Sequence, residues 1–180
     1  MKILHLNEHL ALKGGVEIYL LSTLPILSKQ GIESIYVYGQ GDPSLHSTSF
    51  SAPALGKAGF KSQSIARDQV QSILELEKPD LIHIHNVQNI GAVQAALAFA
   101  PTLVTTHDYR WICPANTFFY KRTREICHRT CSPGCFMTTL TKHCLTPRPG
   151  YASYFYFRSR WAIKHSEQFV QIISPSFGAQ

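Results

Sequence analysis

Four short strand-like apolar runs, at 3–6, 32–38, 81–85 and 102–106, alternate with longer stretches of helical spacing. In the stretch 16–30 the apolar positions are Val16, Tyr19, Leu20, Leu24 and Leu27; in 62–77 they are Ile65, Val70, Ile73 and Leu74; 92–100 is a helix of small residues. Strands joined by crossovers of this length pair in parallel, and nearly continuous apolar runs imply burial on both faces. The order therefore predicts an α/β doubly wound parallel sheet with helices on both faces. Residues 7–15 read as a loop, Pro25 as a bend or early stop in the first helix, and Gly31 as its C-terminal stop. The stretch 39–59, rich in Gly, Ser and Pro, reads as a long loop. A further helix is expected over 151–166 and a last strand over 169–174.

The 180 residues suffice for one compact domain, expected over 1–180, and are too few for two large ones. Hydrophobic residues at 44% and charged residues at 16% fit an ordinary globular protein rather than a disordered one. No apolar run approaches the roughly 20 residues of a membrane span, and the N-terminus lacks signal-peptide features. The expected compartment is the cytoplasm. Residues 110–164 hold ten Lys or Arg against one acid, Glu125, whereas residues 1–109 hold seven against nine acids. Such one-sided charge fits a phosphate-bearing or membrane-surface partner, or simply a solvated basic face.

Three strand ends carry candidate chemistry. Gly14 and Gly15 sit between the first strand and first helix, where free backbone amides can meet a phosphate; a plain turn is the alternative. His83 and His85 share one face of the third strand, with His85 and Asn86 at its ligand edge. His107 and Asp108 end the fourth strand, so His107 and His85 can face one crevice.

Cys113, Cys127, Cys131, Cys135 and Cys144 follow, spaced Cys-x13-Cys-x3-Cys-x3-Cys-x8-Cys in a basic segment at 109–147. An odd number of clustered thiols in a reducing compartment favours a metal over disulfides. A structural zinc held by Cys113, Cys127, Cys131 and Cys144, with Cys135 as alternative ligand, is the leading reading. An iron–sulfur cluster, a partial disulfide set and plain buried thiols are the others. Residues 148–164 interleave Tyr151, Tyr154, Phe155, Tyr156, Phe157 and Trp161 with Arg158, Arg160 and Lys164. That pattern suits a polyanionic acceptor or peripheral membrane contact, at the inner face for a cytoplasmic protein. In the alternative, the aromatics pack on the sheet and the basic residues cover the outside.

Together these segments resemble the N-terminal domain of retaining family-4 glycosyltransferases. Gly14-Gly15-Val16-Glu17 resembles the family's "GGVE" segment, and Lys78 through Asn86 its "PDvvHxHn" strand. Thr105-Thr106-His107-Asp108-Tyr109 with Trp111-Ile112-Cys113-Pro114 resembles the "T-HD-W--CP" stretch of one subset, and Ile173-Ser174-Pro175-Ser176 the strand closing the domain. The resemblance implies a GT-B architecture of two Rossmann-like domains, of which this chain is the acceptor-side one with a Cys-rich loop insertion. The nucleotide-sugar domain, with its Glu-x7-Glu motif, would lie outside these 180 residues. It further implies that Gly14 and Gly15 approach the donor diphosphate and that His107 contacts the transferred sugar as the catalytic residue. His85, Asn86 and Asp108 would face a glycan or lipid-linked acceptor, as in polysaccharide biosynthesis. No catalytic metal and no nucleic-acid partner are expected. Two other readings remain: a metallohydrolase built on His83, His85, His107 and Asp108, and a zinc-stabilised nucleic-acid- or protein-binding module, marked by steeply salt-dependent binding. The pure 180-residue protein is expected to transfer no sugar; measurable turnover of a nucleotide-sugar would contradict this.

Overall fold

A computed structural model describes residues 1–145 and 148–174; Pro175 and Ser176 of the closing motif, and Thr146 and Pro147 of the Cys-rich segment, fall outside the described residues. In chain order the elements are β1 (Lys2–Leu10), α1 (Gly15–Lys29), β2 (Glu33–Gly41), β3 (Ser49–Ser51), α2 (Gln63–Glu77), β4 (Leu81–Ile84), α3 (Ile90–Phe99) and β5 (Thr102–Thr105). They continue with β6 (Phe119–Tyr120), β7 (Glu125–Ile126), α4 (Gly134–Lys142), α5 (Pro149–Lys164) and β8 (Gln171–Ile173). Six strands form one parallel sheet in the order β3-β2-β1-β4-β5-β8, while β6 and β7 make a small antiparallel hairpin. This is the expected Rossmann-like α/β sheet. Its order reverses between β1 and β4, and ligands of such sheets bind beyond the strands' C-terminal ends at that point.

The two faces of the sheet differ. Leu4, Leu6, Ile35, Val37, Ile82, Ile84 and Val104 point to one side and pack with α2 and α3 residues and with Trp111 and Ala162 into the main core. The other side carries His5, Tyr36 and His83 at one register level, with α1 laying Leu20 and Leu24 against Tyr36 and Tyr38. Helix α1 ends as its glycine demands: Gly31 takes φ 73° and its N–H donates to Ser28 O, while Ile32 N–H donates to Leu27 O.

Several expectations needed correction. Strand β1 runs to Leu10 rather than stopping at residue 6, because polar Asn7 and Glu8 find buried partners described below. Pro25 does not shorten α1, which continues to Lys29; Pro25 is exposed, so water can satisfy the carbonyl it leaves unpaired. The stretch 39–59 is no loose loop. It supplies edge strand β3 and buries Ala52, Ala54 and Leu55, and Asn89 fastens it by donating from Nδ2 to Lys57 O. The Cys-rich segment is not plain loop but holds the β6–β7 hairpin and α4. Finally, Arg158 is not an outward basic residue on α5: it is fully buried, donating to Gln88 Oε1, Asn116 Oδ1 and Cys113 O. The α5 aromatics also make internal contacts, with Tyr154 donating to Gln88 O, Tyr156 against Phe136 and Trp161 against His165.

Helices α2 and α3 meet through Gly91, where a Cβ would stand 2.0 Å from the Gln63 carbonyl oxygen. That oxygen belongs to the backbone and cannot swing away. Gly91→Ala is therefore expected to destabilise the domain by about 2–3 kcal/mol, read as a lowered urea midpoint at unchanged slope.

Candidate functional site

The C-terminal edges of β1, β4 and β5 bring three of the expected segments to one crevice. Gly14 holds φ 83°, a left-handed value that favours glycine, and starts α1. A Cβ there would meet Glu17 Oε2 at 2.4 Å, because the Glu17 side chain folds back over the turn. Around Gly15, by contrast, a Cβ would meet nothing within 4 Å. Packing does not require glycine at that position, and the open side lies at the start of the helix, where backbone N–H groups lack intrahelical acceptors.

Across the crevice lies a chain of imidazoles. His5 Nδ1 lies 3.5 Å from His85 Nε2, and His85 Nδ1 lies 3.1 Å from His107 Nε2. His83 Nε2 meets Thr105 Oγ1 at 2.8 Å, and its ring centroid is 3.8 Å from that of His85. Burial pushes His5 down to about 4. Burial, then the charges of His5 and His107, pushes His83 down to about 3. Burial, followed by the neighbouring imidazoles, holds His85 well below its usual range. His107 is lowered by burial and by the Arg110 charge, partly offset by Asp108 and Glu17. All four rings are thus neutral at pH 7. In each His–His contact one nitrogen donates and the other accepts, so the chain has a single direction set by its tautomers.

The expected site residues divide by exposure. His107 is half-buried and lies against Tyr19, at 5.8 Å between ring centroids. His85 has no exposed surface, so in this conformation it faces the crevice through His107. Asn86 is half-buried; its N–H donates to Asn7 Oδ1 and its carbonyl accepts from Glu8 N–H. Asp108 gives its carboxylate to Arg110, whose Nε donates to Oδ1 at 2.9 Å and Nη2 to Oδ2 at 2.9 Å. Burial pushes Asp108 up, but the Arg110 hydrogen bonds and charge outweigh it and the net shift is downward.

Nothing in the sequence marked His5, Asn7, Glu8 and Arg110 as parts of this site. Asn7 Nδ2 donates to Glu17 Oε1 at 3.3 Å and to Tyr36 Oη at 3.1 Å, tying the glycine turn to β1 and β2. Buried Arg110 also donates from Nη1 to Glu8 Oε1 at 2.7 Å. Glu17 was visible as the last letter of the GGVE segment, although no role was read for it. Glu8 and Arg110 lie 102 positions apart and left no local signal.

The profile of Glycosyltransferase Family 4 matches residues 13–176. The chain belongs to that family. No curated protein matches it. The matched region of this glycosyltransferase domain begins just before the glycine turn and spans every crevice residue named above except those on β1. Among its described residues no helix is long and apolar enough to cross a membrane.

The neutral imidazoles make the family-4 domain sensitive to acid. The unfolded chain takes up these protons near pH 6.5, whereas folded His5 does so only near 4. Stability is therefore full above the unfolded value and lost as pH falls toward the folded ones. At pH 5 the loss from His5 alone comes to about 2 kcal/mol. Urea unfolding at pH 7 and pH 5 should show a marked drop, and His5→Gln should flatten it. An equal drop in the variant would mean that the ring does not carry the linkage.

Proposed function

We propose that this domain forms the acceptor-side wall of a retaining glycosyltransferase site, using a nucleotide-sugar donor and a glycan or lipid-linked acceptor. The observation that carries the reading is that the open Gly15 turn and the His85–His107 pair lie at one edge of the sheet, where Tyr19 of α1 packs against His107. At the turn, the start of α1 offers backbone N–H groups and the positive end of the helix dipole to a diphosphate. Leaving of that diphosphate concentrates negative charge there, and fixed dipoles stabilise it without reorganising. His107, held neutral, acts as a hydrogen-bonding group on the transferred sugar rather than as a cation. Its ring is oriented by His85 from behind. Asn86 and the Asp108–Arg110 pair line the acceptor side, where a fixed carboxylate can accept from sugar hydroxyls.

Two observations weigh against a polyanion-binding surface. Arg110 and Arg158, two of the ten cations of the basic half, are buried and engaged internally. In addition, the α5 aromatics already have contacts within the domain.

The test is a titration of the isotope-labelled 180-residue protein with a nucleoside diphosphate, followed by NMR. The amides of Gly14 to Glu17 and the His107 ring should shift together. Gly15→Ala should unfold at an unchanged or slightly higher urea midpoint, because its Cβ has open space, yet lose most of the shift. Shifts confined to the Cys-rich segment or α5, or full binding by Gly15→Ala, would defeat the proposal.

A further inference from the structure

The segment between Cys113 and α5 has no apolar core of its own. Among the described residues, none between Trp111 and Trp161 belongs to either hydrophobic cluster. Over residues 115–145 the buried side chains are Cys131, Thr138 and Thr139, while Phe119, Ile126, Phe136, Met137 and Leu140 are exposed. Regular structure there amounts to the two-residue strands β6 and β7 and the nine-residue helix α4. Asn116, Phe118, Arg124 and His143 hold positive φ, which costs further free energy in non-glycine residues. Ordering about 30 residues costs on the order of 30 kcal/mol or more in backbone entropy alone. So little burial cannot offset that, and an added cross-link is the usual remedy in small coreless units.

The thiols supply the means. All five cysteines are free and all five line one cavity of about 20 Å³. They reach it from separate parts of the segment: Cys113 ahead of the hairpin, Cys127 just after β7, Cys131 in the turn before α4, Cys135 on α4 and Cys144 after it. The Thr138 and Thr139 hydroxyls lie 3.9 Å from the Cys144 sulfur. Cys113 and Cys131 are the two buried thiols.

We propose that four of these five thiolates bind one structural zinc ion, with Cys113 and Cys131 in the set and two of Cys127, Cys135 and Cys144 completing it. All-sulfur tetrahedral sites select zinc among the common divalent ions. The sulfurs encircle the cavity rather than already meeting at ligand range. Among the described residues, the trio whose ligand atoms lie within 4.8 Å of one another is His5, His83 and His85. That trio is a weaker claimant, since His85 Nδ1 and His83 Nε2 are already engaged by His107 and Thr105. Closing the thiols onto zinc at about 2.3 Å requires an inward shift, which a segment with so few buried side chains resists little. The ion would also support the crevice. Arg158 bonds the Cys113 carbonyl and Asn116 at one end and Gln88, two residues past Asn86, at the other.

The experiment is metal analysis of the untagged 180-residue protein, purified under reducing conditions from zinc-containing medium. About one zinc per chain is expected, and its removal by a chelator should lower the melting temperature and release the segment to proteolysis. Cobalt(II) added to the stripped wild-type protein should give strong thiolate-to-metal charge transfer and tetrahedral d–d bands, a readout that needs no variant to fold. Cys113→Ser and Cys131→Ser should lose stoichiometric metal, whereas Ser at one of Cys127, Cys135 or Cys144 should retain it. Metal-free protein with unchanged melting, an octahedral cobalt spectrum, an iron–sulfide chromophore, or disulfides detected by alkylation would each overturn the proposal. The glycosyltransferase reading would survive any of these, since the diphosphate titration maps a different edge of the domain.

Discussion

The parallel pairing of β1 with both β2 and β4 fixes where everything else can go. Strand β1 is central, and the chain turns one way from it to reach β2 and β3 and the other way to reach β4, β5 and β8. The reversal leaves a gap above its C-terminal end that no crossover helix fills. Residues of β1 then organise the walls of that gap. His5 touches the His85 ring, Asn7 ties β2 and the glycine turn, and Glu8 receives Arg110. Had the strand ended at Leu6, as its apolar run suggested, the Asn7 and Glu8 anchors would not be held on it.

Arg110 shows how the site is held rigid. A buried guanidinium is costly to desolvate, and here the cost is offset by a bidentate contact with Asp108 and a second carboxylate, Glu8. The Coulombic gain is large where water is excluded, but net stability from such groups is small. What the arrangement supplies is position. It joins the end of β1 to the segment after β5, so two walls of the crevice cannot drift apart without exposing an unpaired charge. Arg158 does similar work with neutral acceptors. Burial and the nearby Arg110 charge lower it to about 10, leaving it charged at neutral pH.

The imidazole chain is the opposite solution to burying polar groups. Rings at successive register positions on adjacent strands share protons instead of carrying charge, and burial keeps them neutral. A neutral His107 suits hydrogen bonding to a sugar better than salt formation with a phosphate, which leaves the diphosphate to the α1 amides. This division of labour follows from depth: the histidines sit under α1, and the glycine turn sits at its open end.

Much of the fold could be read from the chain. The alternation of strand-like and helical periods dictated a parallel α/β sheet, because only crossovers of that length join parallel strands. Gly31 and Lys78-Pro79 marked real helix ends, and the glycine turn and two histidine strand ends were legible as edge chemistry since topology alone places them there. Other features were not legible. A polar residue in a strand looks like a loop until its partner is known, so Asn7 and Glu8 hid the length of β1. Arg158 looked like surface charge because its acceptors, Gln88 and Asn116, lie 70 and 42 positions away. The sequence by itself determined which elements form and in what order, through local periodicity and turn chemistry. Only the tertiary structure decided which polar groups are buried together, since that depends on contacts between residues far apart in the chain.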